Sequence, residues 1–242
     1  MPALDPKDNA FGQALLARLE GRPGVAVIER DDGFIEADGS DYFAPLSDDD
    51  ELWRWTRPRI GAHVVDVGAG AGRASVVLQG DGIPVTALDV SPGAIEVCRR
   101  RGIADAFLGT VEDLAATGST SFDTFVCLGA NLGLVGRGDR ARAFLDAIRR
   151  LGGDDVRLLG TILNPYVTDV PAHLAYHEAN RGAGRPAGAV RIRVRHRSAA
   201  TPWFELVWAS PEELEDNVAT FGWGVVDVLE TGAAYAAELR PR

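Results

Sequence analysis

The sequence predicts a doubly wound α/β sheet, and two observations carry that prediction. From about residue 61 to 164, apolar segments of strand length alternate with amphipathic segments of helix length. That is the pattern of a parallel sheet covered on both faces. The first apolar segment, Val64-Val65-Asp66-Val67, runs straight into Gly68-Ala69-Gly70-Ala71-Gly72-Arg73. Glycine tolerates positive φ and lets a ligand approach the backbone, while the helix that follows offers unpaired N–H groups. Open α/β sheets build a nucleotide-type site at this carboxyl edge.

The later elements follow in order. Ile83 to Leu88 reads as a second strand ending at Asp89. A carboxylate there can accept two hydrogen bonds from a ribose diol. Ser91-Pro92 starts a helix, with serine as N-cap and proline at the first helical position. That helix turns Ile95 and Cys98 inward, carries Arg99, Arg100 and Arg101 at its negative end, and stops at Gly102. Phe122 to Gly129 reads as the fourth strand, and the helix near 138–151 puts Phe144, Leu145, Ile148 and Leu151 on one stripe. Val156 to Leu163 is the fifth strand, ended by Asn164-Pro165.

Glycine spacing narrows the ligand. The dinucleotide fingerprint is G-x-G-x-x-G, its third glycine allowing close helix–strand packing. Here the glycines stand at 68, 70 and 72, and Arg73 takes the third position. A buried arginine there would hold the helix off the strand. Asp66 also stands two residues before the first glycine. This D-x-G-x-G-x-G run resembles the first motif of the class I S-adenosylmethionine (SAM)-dependent methyltransferases. LDVSPGAIEVCRRRG, from Leu88 to Gly102, looks like the second motif. Phe107 to Leu114 resembles the loop that receives adenine in that family, and Phe122 to Gly129 its fourth strand. The resemblance is strong over residues 64–131 and weaker elsewhere.

It implies a Rossmann-like methyltransferase sheet with an antiparallel last strand, an N-terminal cap and an inserted helix-hairpin. It also implies SAM as cofactor. By that resemblance Gly68, Ala69, Gly70, Gly72 and Arg73 form the loop at the methionine part, and Asp66 orients the amino group. Asp89 with Val90 would meet the ribose. The Val111 backbone would meet the adenine edge and Glu112, rather than Asp113, the exocyclic amine. Leu128 and Gly129 would form the cofactor-facing end of the fourth strand. Asn131 lies where the family faces the reacting methyl group, and a turn or cap role is the other reading. Tyr42-Phe43 either closes over the cofactor or packs.

Composition bounds the remaining possibilities. A chain of 242 residues suits one domain with an insertion. Hydrophobic residues at 46% can fill a sizeable core, and charged residues at 25% match an ordinary soluble protein. No apolar run approaches the roughly 18–20 residues that span a bilayer. Met1 to Asp8 lacks a basic segment followed by an apolar one, so no secretory signal is expected and the protein reads as cytoplasmic. Cys98 and Cys127 read as buried free thiols. Net charge is −10 with Lys7 the only lysine, which disfavours a nucleic-acid partner and leaves a small molecule as substrate.

Outside the core, residues 1–60 read as an N-terminal cap segment and 61–242 as the SAM-binding domain, with an insertion at 165–209. In the cap, Phe11 to Leu19 has helical spacing, and Val25 to Ile28 and Phe34-Ile35 flank the turn Asp31-Asp32-Gly33. In the insertion, Pro171 to Asn180 reads as a short helix. Val190, Ile192 and Val194 alternate with arginines, and Phe204 to Trp208 would pair with them. Ser210-Pro211-Glu212-Glu213 is a capping box whose helix buries Leu214, Val218 and Phe221. Two strands near 224–230 and 233–239 would close the sheet antiparallel.

Several residues invite chemistry. His173 and His177 stand one helical turn apart and are the candidates for a general base, although an exposed or interfacial helix face explains them as well. Metal binding is not expected, because no third ligand has diagnostic spacing. Arg191, Arg193, Arg195 and Arg197 either hold an anion or form a solvated strand face. Trp203-Phe204 and Trp208 either wall a pocket or pack on the core. Two other classes stay open: an NAD-linked oxidoreductase, which shares Asp89 and the glycine loop, and a SAM-binding protein without catalysis. No motif identifies the acceptor atom (O, N or C) or the oligomeric state.

Overall fold

The computed structural model describes residues 3–5, 9–119 and 122–242. Lys7, with most of the amino-terminal stretch read above for a leader, lies outside the described residues. Helix α1 (Ala10–Leu19) is capped by Asn9, whose side chain accepts the Gly12 N–H at 3.2 Å. Strands β1 (Val27–Arg30) and β2 (Ile35–Ala37) form an antiparallel hairpin, the chain reversing where Gly33 takes φ 89°. Helix α2 (Glu51–Thr56) is N-capped by Asp50 and buries Trp53.

The core then alternates as its periodicity predicts. Strands β3 (Val64–Val67), β4 (Val85–Asp89), β5 (Asp105–Leu108), β6 (Thr124–Cys127) and β7 (Arg157–Leu163) pair in parallel. Helices α3 (Arg73–Gly80), α4 (Pro92–Arg100), α5 (Val111–Ala116) and α6 (Asp139–Gly152) make the crossovers. Along the central strands the side chains alternate between two apolar layers. Val65, Val67, Phe125 and Leu158 pack with Phe144, Leu145 and Ile148 of α6. Val64, Val126 and Leu159 pack with Trp53, Ala74 and Leu78. Cys98 and Cys127 are buried free thiols.

After β7 come α7 (Pro171–Gly182), β8 (Ala189–His196), β9 (Ala199–Ala200), β10 (Phe204–Val207) and α8 (Pro211–Ala219). Helix α8 opens with the reciprocal Ser210–Glu213 capping box. Strands β11 (Trp223–Thr231) and β12 (Ala234–Pro241) finish the chain. The main sheet has order β11-β12-β7-β6-β3-β4-β5, with β12 antiparallel to β7. Strand order reverses about β3, so the loop after β3 lies at the topological switch point, where such sheets bind ligands.

One feature of the cap differs from the sequence-based division. The N-terminal hairpin and the inserted strands form a single antiparallel sheet of order β10-β8-β1-β2. Ile28 stands opposite Val194, and Ile192 opposite Phe204, so these apolar residues share one face. On the other face Glu29 accepts both guanidinium hydrogen bonds of Arg193, each at 2.9 Å, and one from Arg195 at 3.1 Å. Two of the four arginines in the stripe, Arg193 and Arg195, are thereby ion-paired on the outer face, and Arg191 and Arg193 lie over the Trp203 ring.

Candidate active site

The glycine loop between β3 and α3 is a backbone shape before it is a binding site. Gly68, Gly70 and Gly72 all take positive φ, at 70°, 57° and 75°, the region L side chains rarely adopt. Two carboxylates hold the loop from within. Asp89 Oδ2 accepts the Gly70 N–H at 2.9 Å, and Asp89 Oδ1 accepts the Ser91 N–H at 2.8 Å. Asp66 Oδ2 accepts the Ser75 N–H at 3.2 Å and the Ser75 hydroxyl at 2.7 Å. From the other side Asn131 Nδ2 donates to the Gly68 carbonyl at 3.0 Å.

Burial dominates the electrostatics of both acids. It pushes the Asp66 carboxyl up to about 6, with the Ser75 hydrogen bonds opposing and the Asp89 charge adding. Asp89 is also raised by burial, against the pull of the Ser91 and Gly70 N–H groups. Burial thus favours the protonated form of both acids, and a cation placed beside them would favour the ionised form.

A cavity of about 810 Å³ opens over this loop. Of the residues singled out from the sequence, Asp66, Gly68, Ala69, Gly70, Arg73 and Asp89 line it. So do Val90, Val111, Glu112, Leu128, Gly129, Asn131 and Tyr42. Arg73 stands at the first turn of α3 and donates to the Ala44 carbonyl at 2.8 Å, outside the helix–strand contact. Asp113 is absent from the wall, because its carboxylate closes the capping box of α5 with Thr110. The Tyr42 hydroxyl donates to Asp38 at 2.6 Å, and its ring stacks edge-on against Phe11 at 5.1 Å. Burial, then the Asp38 charge and hydrogen bond, hold that phenol above its usual range.

Three residues are placed elsewhere. Gly72 does not line the cavity: a Cβ there would sit 2.3 Å from Ile103 Cδ1 and 3.2 Å from Cys98 Sγ. Its role is close packing against Cys98 of α4 and Ile103 just beyond that helix. His173 and His177 also lie off the cavity wall. Their helix face packs toward the β1–β2 hairpin, where His173 stacks edge-on against Phe34 at 5.3 Å. Arg30 lies over the Phe34 and Tyr176 rings, and Tyr176 donates to Asp31 at 2.7 Å. His177 is buried and its pKa lowered by that burial, then by the charges of His173, Arg181 and Arg30. The spacing that suggests a base belongs to a packed face, and neither histidine lines the cavity.

Other wall residues escaped the sequence reading. Ile28, Ile192, Val194 and Leu206 come from the apolar face of the cap sheet, and Phe11 from α1. Phe204 and Trp208 line the cavity, and Trp203 does not. Alternation revealed that β8 has an apolar face, but not what it faces. Ala130, in the left-handed region at φ 65°, donates its N–H to the buried Thr161 hydroxyl at 3.1 Å. Arg140, in the first turn of α6, also lines the wall. Among the described residues no group of three His, Cys, Asp or Glu is placed to hold a metal ion.

A switch-point cavity with a glycine cradle and a strand-end carboxylate defines a nucleotide-type α/β site. Residues 64–153 match the model of a family described as "Methyltransferase domain". The ubiquinone biosynthesis O-methyltransferase of Xylella fastidiosa is 38% identical over 76 residues, 29% of this chain and 31% of that protein. A counterpart from Xanthomonas oryzae is 40% identical over 73 residues, 28% and 30% of the two chains. The chain thus matches under a third of the length of these curated relatives. Among solved structures, a SAM-dependent methyltransferase from Bacteroides fragilis in complex with S-adenosyl-L-homocysteine superposes with TM-score 0.80. That likeness spans 99% of this chain and 98% of the other, at 20% identity. The CcbJ methyltransferase of Streptomyces caelestis follows at TM-score 0.61 and 14% identity, over 84% and 93%. At these identities the likeness is one of fold, and the fold is that of the class I SAM-dependent methyltransferases.

Proposed function

We propose that this chain transfers the methyl group of SAM to a small-molecule acceptor. The observation that carries the reading is the Asp89–Gly70 hydrogen bond, which joins a strand-end carboxylate to a glycine loop open to a cavity. Each Asp89 oxygen already accepts one N–H and keeps lone-pair capacity for a diol. Gly70 presents backbone where a larger residue would fill the space beneath Phe11 and Tyr42. Asp66 is the acid for an amino group, and Val111 with Glu112 stands at the adenine end of the wall.

When bound, SAM supplies a methyl group already activated by its sulfonium. The chain then has to align donor and acceptor and keep water out. The cap sheet excludes water, with Ile28, Val194 and Phe204 roofing the cavity. Asn131 braces the loop through Gly68 and stands beside the space an acceptor enters. With His173 and His177 off the wall, the proposed transfer uses no histidine base.

The same reading takes the protein as cytoplasmic and its acceptor as other than nucleic acid, in keeping with a net charge of −10. No helix among the described residues is long and apolar enough to cross a membrane. Thermal unfolding with SAM, S-adenosylhomocysteine or NAD tests the cofactor. At a hundred times its dissociation constant a ligand adds about 2.7 kcal/mol, a rise of about 5–10 °C for a chain of this size. A rise with SAM and S-adenosylhomocysteine but not NAD is expected. A rise with NAD alone would replace this reading by an oxidoreductase.

A further inference from the structure

The acceptor half of the cavity differs in character from the cofactor half. Its roof is the inner face of the cap sheet, where register places Ile28, Ile192, Val194, Phe204 and Leu206 on one side. Of the cavity's carboxylates, Asp66, Asp89 and Glu112 belong to the glycine-loop half and Asp50 is exposed at its edge. On the edge strand β2 of the cap sheet, Glu36 is exposed opposite Ile28, and just beyond that strand the Asp38 carboxylate accepts the Tyr42 hydroxyl. Arg140 stands against this apolar region, four residues before Phe144, which shares the wall.

Arg140 is partly buried, and among the described residues it pairs with no carboxylate. The nearby acid, Glu205, gives its carboxylate to Arg137 at 3.6 Å and only its backbone carbonyl to Arg140, at 2.9 Å. A guanidinium has five N–H donors, and one is used here. A charged group among apolar neighbours without a counter-ion is costly unless a ligand supplies one.

We infer that the acceptor joins an apolar body, held under the cap sheet, to one anionic group read by Arg140. This rests on the methyl-transfer reading, since it assigns the part of the cavity that SAM leaves free. It selects apolar carboxylates and phenolates over neutral molecules of the same shape.

The test is calorimetry on the full chain saturated with S-adenosylhomocysteine. The probes are naphthoate, indoleacetate and phenylbutyrate, each against its neutral amide. At least one anion is expected to bind about tenfold or more tightly than its amide, the scale of a hydrogen bond to a charged group. Arg140→Gln should bring that pair within about twofold, and Arg140→Lys should restore part of the preference. The affinity of Arg140→Gln for S-adenosylhomocysteine should stay at the wild-type value, which also reports that the variant is folded. No preference in any pair, including no binding of either member, overturns the inference. So does an equal loss of S-adenosylhomocysteine affinity in Arg140→Gln, which would put Arg140 in the cofactor half. Failure of the wild type to bind S-adenosylhomocysteine at all would instead overturn the methyl-transfer reading, and this inference with it.

Discussion

Asp89 reaches back across 19 residues to hold the Gly70 N–H at 2.9 Å, so the end of β4 fixes the loop that leaves β3. It adds a side-chain hydrogen bond to those that the Gly68 and Ala69 N–H groups give the Leu88 carbonyl, at the point where strand order reverses. The carboxylate is both a brace for the backbone and, in our proposal, a ligand to the ribose.

Asp89→Ala removes both functions. SAM and S-adenosylhomocysteine should each bind more weakly by about 1.5–3 kcal/mol, the scale for hydrogen bonds to a charged group. Titration calorimetry on a variant shown by circular dichroism to be folded checks this. Wild-type affinity would remove Asp89 from the site.

The glycines should separate by phenotype. Gly70→Val puts its Cβ 3.6 Å from Phe11 and 3.7 Å from Tyr42, ordinary contact distances, so the variant should fold while the loop loses its approach to the cofactor. At Gly72 the same substitution meets Ile103 at 2.3 Å. Overpacking of this kind costs about 1–3 kcal/mol, added to the strain of a positive φ that both positions share. Unfolding midpoints and SAM affinities measured on the two variants should therefore rank in opposite orders. Parallel losses in both would mean that the two glycines do one job.

How much of this was legible follows from the range of each interaction. The β3 loop, Asp89 and the Ser91 cap lie within thirty residues, and their residue types are dictated by local backbone and local hydrogen bonds. The cap was not legible in the same way. Glu29 and Arg195 are 166 residues apart, and nothing in either strand's alternation names its partner. The histidines show a related limit. An i, i+4 spacing establishes a shared helix face, whereas Phe34 and the Arg30 cluster, which decide what that face meets, come from a distant hairpin. The resemblance gives Gly72 to the ligand with the other loop glycines, which look alike in sequence. Only the position of Ile103 separates packing from binding.

His177→Ala should lower the unfolding midpoint, since the ring is buried at the join between α7 and the N-terminal hairpin. It should leave SAM affinity and methyl transfer from labelled SAM into an acceptor-containing extract unchanged. A hundredfold fall in transfer at unchanged SAM affinity would return the histidine to the reaction, because general-base removal has about that size or more.

Asp66 gives the pH dependence a sign. Its carboxyl is raised to about 6 in the folded chain, from an ordinary value of 3.8, so the folded state prefers it protonated. Its contribution to stability is therefore full below the ordinary value and is lost as pH rises through about 6. A cationic amino group beside it favours the ionised form and reverses that preference. Cofactor affinity should then be level above pH 6 and fall on acidification below it, by at most about tenfold per pH unit, with proton release on binding near pH 6. Calorimetry in two buffers of different ionisation enthalpy measures that release directly. In Asp66→Asn, whose amide oxygen can still accept from Ser75, the release should vanish and the ligand-free protein should unfold at a higher temperature at pH 7 than the wild type. An unchanged pH slope in this variant would show that Asp66 braces α3 through Ser75 and takes no part in holding the cofactor.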